Sequence, residues 1–158
     1  MPRKTLLSAV AIVATSLALA APAAADKPMV VPSPFGEFTG EYCDDFAVRI
    51  RETTNRGKTI IFSSGAAVTT GTLKVEVTNL ETGKTISLNI SGPAMFSSDG
   101  TTLFGPGAWL LFGEPGFFGP GSPAMLETNH GRLVIDLASG TIVERVGKTV
   151  DLCPLLAD

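Results

Sequence analysis

Four stretches of the chain alternate apolar and polar residues with a period of two. Phe46, Val48 and Ile50 interleave with Ala47, Arg49 and Arg51; Leu73, Val75 and Val77 interleave with Lys74, Glu76 and Thr78. Ile86, Leu88 and Ile90 interleave with Ser87, Asn89 and Ser91, and Leu133, Ile135 and Leu137 interleave with Val134 and Asp136. Successive side chains of a strand point to opposite faces, so this period means strands with one face buried and one wet. No stretch after residue 25 carries the i, i+3, i+4, i+7 stripe of an amphipathic helix.

Turn residues fall between the runs: Asn55-Arg-Gly57, Glu81-Thr-Gly-Lys84, Asp99-Gly100, Asn129-His-Gly131 and Ala138-Ser-Gly140. Glycine supplies positive φ, and Asn or Asp accepts a local hydrogen bond. The spacing predicts strands over 46–54, 58–63, 66–79 with a bend at Gly71, 84–91, 101–104, 107–112, 124–128, 132–137 and 141–147. Eight or nine consecutive hairpin-linked strands must hide their edges. The expectation is an all-β antiparallel meander closed into an up-and-down barrel, with a β-sandwich as the alternative. Residues 150–156 fit either a last strand or a short turn of helix.

The chain opens with Arg3 and Lys4, then an Ala-rich apolar run over 6–21, then Ala23-Ala-Ala25 before Asp26. This is the pattern of a secretory signal peptide over residues 1–25, cleaved after Ala25. Residues 26–36, with three prolines, read as an extended lead, and residues 37–158 as a single β domain. The whole chain has 12 Lys+Arg and 15 Asp+Glu, and the leader takes two of those cations and no acid, leaving a net charge of −5. An acidic, unclustered balance argues against nucleic acid and anionic membrane as partners.

Cys43 and Cys153 lie near the two ends of the exported chain. An even count in a secreted protein predicts one disulfide. With one histidine and two cysteines, no zinc ligand set is apparent, and no metal or other cofactor is expected.

The stretch 104–123, FGPGAWLLFGEPGFFGPGSP, repeats Phe-Gly-Pro-Gly at 104–107 and 118–121. Proline and glycine exclude the breaks from a central strand and leave residues 108–112 as a compact β-prone run. Two readings stay open. The aromatic residues cap the core at strand ends, or Trp109, Phe112, Phe117 and Phe118 form the apolar mouth of a ligand site.

Catalytic signatures are missing. His130 sits in a turn-like Asn-His-Gly setting with no Gly-x-Ser-x-Gly elsewhere. Asp44 and Asp45, being adjacent, point to opposite faces of a strand. Asp136 should be exposed or paired with Arg132. No phosphate-binding loop or calcium loop is present.

The Ala-rich leader, residues 78–93, the Asp99-Gly100 turn, the GPGAWLLF strand at 105–112, the hairpin at 131–143 and the terminal Asp151-Leu-Cys153 together resemble uncharacterised small secreted proteins of high-GC Gram-positive bacteria. At the level of fold, the meander also resembles eight-stranded barrels of the lipocalin or allene-oxide-cyclase and dirigent type. The resemblance transfers no catalytic residue.

The expected function is non-catalytic binding, outside the cell, of a small apolar ligand or another macromolecule. The alternatives are a cyclase- or dirigent-like enzyme using an apolar barrel cavity, and a structural or inhibitory secreted protein. A cavity lined by the odd-numbered residues of 73–77 and 133–137 would favour a ligand or a cyclase. A filled centre would move attention to the outer face. N-terminal sequencing of secreted protein should begin at Asp26; an intact Met1 in the membrane fraction would refute the leader assignment.

Overall fold

The computed structural model describes residues 27–157, and structural statements refer to these. The leader and its cleavage point lie outside the described residues. The chain forms twelve strands and one short helix. In order these are β1 Met29–Pro32, β2 Glu37–Gly40, β3 Val48–Asn55, β4 Lys58–Ile61, β5 Ala67–Thr70 and β6 Leu73–Asn79. They continue with β7 Thr85–Asn89, β8 Ala94–Phe96, β9 Thr102–Gly105, β10 Ala108–Gly113, β11 Met125–Asp136, β12 Thr141–Asp151 and α1 Cys153–Ala157. All pairing is antiparallel. One sheet has the order β1-β4-β5-β8-β9-β11-β10, with β12 also on β11; the other is β2-β3-β6-β7.

The short strands are limbs of longer ones. β1 and β2 pair with β4 and β3, the two limbs of the next strand; β5 and β6 pair with β8 and β7 in the same way. β9 and β10 both lie along β11. The chain is therefore a meander of seven long strands; the first five are interrupted at one level, and β11 and β12 run through that level with Gly131 and Gly147 opposed. Ser33 N donates to Gly57 O at 3.2 Å and Arg56 N to Thr72 O at 2.8 Å. Gly107 and Gly131 exchange backbone hydrogen bonds of 3.1 and 2.8 Å, and Gly131 faces Gly147 on the next strand. These positions form a transverse crease of glycine and proline.

Side chains cannot occupy parts of the crease. At Gly147, where φ is +117°, a Cβ would fall 2.2 Å from the His130 carbonyl oxygen. At Gly71, where φ is +132°, it would fall 2.3 Å from the Arg56 carbonyl oxygen. Both positions combine a conformation that L-residues avoid with backbone contact.

The predicted barrel does not close. On one side of the crease β8 pairs with β9, through Met95↔Phe104 and Phe96↔Leu103. Across the crease their continuations, β7 and β10, do not pair. Pro93 and Pro106 lie at the split, and neither has an N–H for a ladder bond. A Cβ at Gly105 would lie 2.2 Å from Pro93 O, so the backbones approach closely there before they part. The result is a sandwich-like arrangement in which the β2-β3-β6-β7 sheet packs against β10, β11 and β12.

The alternation read from the sequence supplies this packing. Val48 and Ile50 of β3 and Val75 and Val77 of β6 are fully buried, together with Leu126 of β11, Leu152 between β12 and α1, and Leu156 of α1. Burial of each such side chain stabilises by about 1.5–3 kcal/mol relative to exposure. A second cluster, Leu111, Leu133 and Ile135 with Phe118 and Ile142, covers the opposite face of the larger sheet.

The Cys43–Cys153 disulfide forms, with Cα atoms 5.7 Å apart and a sequence separation of 110. It joins the segment after β2 to the start of α1, tying the two layers together. Closing a loop of this length contributes about 2–4 kcal/mol. Buried Asn79 makes a second tie. Its Nδ2 donates to Leu156 O at 3.1 Å, while its Oδ1 accepts from Glu81 N at 2.8 Å.

Three sequence expectations change. The proline-rich lead contains β1 and joins the sheet. Residues 129–131 are not a turn: His130 sits within β11, and the glycine marks the crease. Of the two settings expected for Asp136, the pairing with Arg132 does not form: Arg132 pairs with Glu144 at 3.1 Å, and Asp136 accepts solvent-exposed hydrogen bonds from Ala138 N and Ser139 Oγ. Gly147→Ala should destabilise the protein by roughly 3 kcal/mol in urea unfolding. Gly100→Ala, where a Cβ meets nothing within 4 Å, should cost only about 1 kcal/mol. Equal costs at the two positions would contradict the crease.

Candidate functional site

Trp109, Phe112, Phe117 and Phe118 come together. All four line one cleft of about 570 Å³, with Phe38, Tyr42, Leu111 and Glu114. They reach it by different routes. Phe112 shares a face of β10 with Leu110, directed at the β2-β3-β6-β7 sheet. Its ring meets Phe38 at 5.1 Å and Tyr42 at 5.2 Å between centroids. Trp109 and Leu111, one residue out of phase, point to the opposite face. The cleft thus follows the outer edge of β10 and takes side chains from both its faces.

The segment 114–124 closes the other wall. Phe117 N donates to Glu114 O at 3.0 Å, making the Glu-Pro-Gly turn. Ser122 holds the loop together, its Oγ accepting from Phe118 N at 3.2 Å and its carbonyl from Gly116 N at 2.8 Å. The loop then folds over the sheet, bringing Phe117 O to 3.0 Å from where a Gly140 Cβ would be. Phe118 packs on the second cluster, whereas Phe117 stays 64% exposed and stacks edge-on against it at 5.0 Å.

The interior is filled. Val75, Val77 and Leu133 are fully buried in packed clusters, and Leu137 is exposed. Of the residues expected to line a central cavity, Ile135 borders the edge cleft and Leu73 a smaller cavity of about 190 Å³ near the crease. A cleft of ligand size lies instead along the β10 edge.

Polar groups at the site are few. Glu114 is the one charged residue lining the cleft. The Tyr42 phenol has its pKa raised above 10.0, first by burial and then by the Glu114 carboxylate. It stays a neutral hydrogen-bonding group at physiological pH. The Trp109 indole Nε1 and the Nδ2 of Asn129, its cross-strand partner, are buried without hydrogen-bond partners. The Asn129 Oδ1 accepts from Thr149 Oγ1 at 3.2 Å.

His130 is exposed on β11 opposite Lys148, away from the cleft lining. Among the described residues, no group of three His, Cys, Asp or Glu side chains gathers to hold a metal ion. No described helix is long and apolar enough to cross a membrane.

Sequence reading missed Phe38, Tyr42, Leu111 and Glu114. Phe38 lies on a four-residue strand in a Gly-rich segment, where alternation has no length in which to show. Its contact with Phe112 depends on how the layers pack.

No family model, curated protein or solved structure matches the chain. Tyr42 is the one tyrosine, so its titration can be followed directly by ultraviolet absorbance. It should ionise above pH 10, and Glu114→Gln should lower its pKa part of the way back. An unchanged pKa in that variant would separate Glu114 from the Tyr42 side of the cleft.

Proposed function

We propose that this is an exported, non-catalytic binding protein that takes an apolar group in the cleft along β10. One observation carries the reading: the four aromatic residues of the Gly-Pro-rich stretch converge with Phe38 and Tyr42 on one open cleft, while the sandwich centre is packed. Burying about 200 Å² of apolar surface there is worth about 5 kcal/mol before the costs of association. Tyr42 and Glu114 supply polarity at its margin without forming a nucleophile–base pair. The leader and the disulfide accord with work outside the cell. The filled sandwich centre favours this reading over a cyclase- or dirigent-like role, which would draw on an interior chamber.

Trp109 is the sole tryptophan and lines the cleft, so it reports on occupancy. Nile red, a neutral apolar dye, should bind saturably at one site and quench Trp109. Phe117→Ala removes a largely exposed ring and should leave thermal stability unchanged. It should weaken dye binding by about tenfold, or 1.4 kcal/mol. Dye binding indifferent to this substitution would defeat the proposal.

A further inference from the structure

The occupant can be specified from the backbone of β10. This strand ends its sheet, pairing with β11 alone. Opposed residues of an antiparallel pair alternate between those that exchange hydrogen bonds and those that do not. The reciprocal Gly107–Gly131 bonds set the phase, so Trp109 and Leu111 bond to β11. Leu152 N donating to Leu126 O on the far side of β11 gives the same phase. The N–H and C=O groups of Leu110 and Phe112 therefore point away from β11, into the side where the cleft lies. No hydrogen bond among the described residues reaches them.

An edge of this kind is a template for another strand. By contrast, the free edge on β12 carries Glu144, Arg145 and Lys148, and its pairing with β11 has a bulge at Val134/Ile135. β10 has no such guard: residues 101–113 hold no charged side chain. A small apolar ligand would leave these backbone groups unsatisfied, whereas an extended peptide would pair with them and place alternate side chains on either side of the edge. The side chains flanking the edge suit that geometry, with Phe38 and Phe112 on one side and Trp109, Leu111 and Phe117 on the other. Glu114, just past the strand end, gives the peptide its direction. An antiparallel partner brings its N-terminal end there, and a basic residue at that end complements the carboxylate.

We infer that the β10 edge binds an extended, alternately apolar peptide segment of an extracellular partner by strand addition, with a basic residue of the segment near its N-terminal end beside Glu114. This rests on the cleft being the binding site, and it names the occupant.

The test uses the secreted protein and a peptide of alternating valine and threonine with one lysine at its N-terminus. By amide hydrogen exchange of the free protein, Leu110 and Phe112 should exchange quickly and Trp109 and Leu111 slowly. The peptide should slow the first pair and displace Nile red. N-methylation of one alternate set of peptide amides should weaken binding by about tenfold or more, and of the other set by less than about threefold. Moving the lysine to the C-terminus should also weaken it, and Glu114→Gln should erase that difference. If Nile red binds and the peptide does not, strand addition is refuted while the apolar cleft stands. If neither binds, both fail. If Leu110 and Phe112 become protected as protein concentration rises without peptide, a second copy fills the edge and the inference is overturned.

Discussion

The crease of glycine and proline across the meander is the constraint on which the rest of the structure depends. A strand ladder of seven long strands tends to curl and close, because closure satisfies the edge groups. Here the first five strands are interrupted at the same level, β11 and β12 carry opposed glycines there, and neighbouring backbones approach where Cβ atoms would collide. Gly71 against Arg56 and Gly147 against His130 show this contact directly. Glycine at these points permits the close approach, and Pro93 and Pro106 deny the ladder its donors at the one place where it parts. Once β7 and β10 separate, two layers must find each other, and the alternating Val, Ile and Leu faces provide the means.

The split also determines where an apolar site can exist. A closed barrel would have placed available space at its centre. In this arrangement Val48, Ile50, Val75 and Val77 meet Leu126, Leu152 and Leu156 and fill the centre. The space moves outward, to the edge that the split leaves on β10. The 114–124 loop then folds back over the outer face and stands its two phenylalanines beside that edge. The disulfide and Asn79 hold the opposite arrangement firm by tying the segment after β2 and the β6–β7 turn to the C-terminal helix. The layers thus leave an unpaired edge, with no charged side chain over residues 101–113, between aromatic walls.

Much of the fold was legible in the residues. The runs at 46–54, 58–63, 66–79, 84–91, 101–104 and 107–112 all contain strands, and the bend placed at Gly71 is where β5 gives way to β6. These elements carry either regular alternation, as at 46–51, 73–78 and 86–91, or a compact β-prone run such as 108–112 bounded by turn residues. β1, β2 and β8 were not foreseen, because each is three or four residues long and lies beside proline or glycine. Asn129-His-Gly131 looked like a hairpin turn because its composition is that of one. Opposed to Gly147, the same glycine instead lets two strands cross the crease without breaking.

The sequence by itself determined the strand periodicity, the pairing of Cys43 with Cys153 as the sole possible disulfide within the chain, and the clustering of aromatic residues along 104–118. These follow from local sterics and from counting, and need no knowledge of distant contacts. Tertiary structure alone decided that the meander opens into layers, that Phe38 and Tyr42 stand against Phe112, and that Leu110 and Phe112 turn their backbone groups outward. Those outcomes depend on which strands part at the crease and on the phase of one ladder. Both are set by contacts between residues far apart in the chain, which alternation along a single strand does not encode.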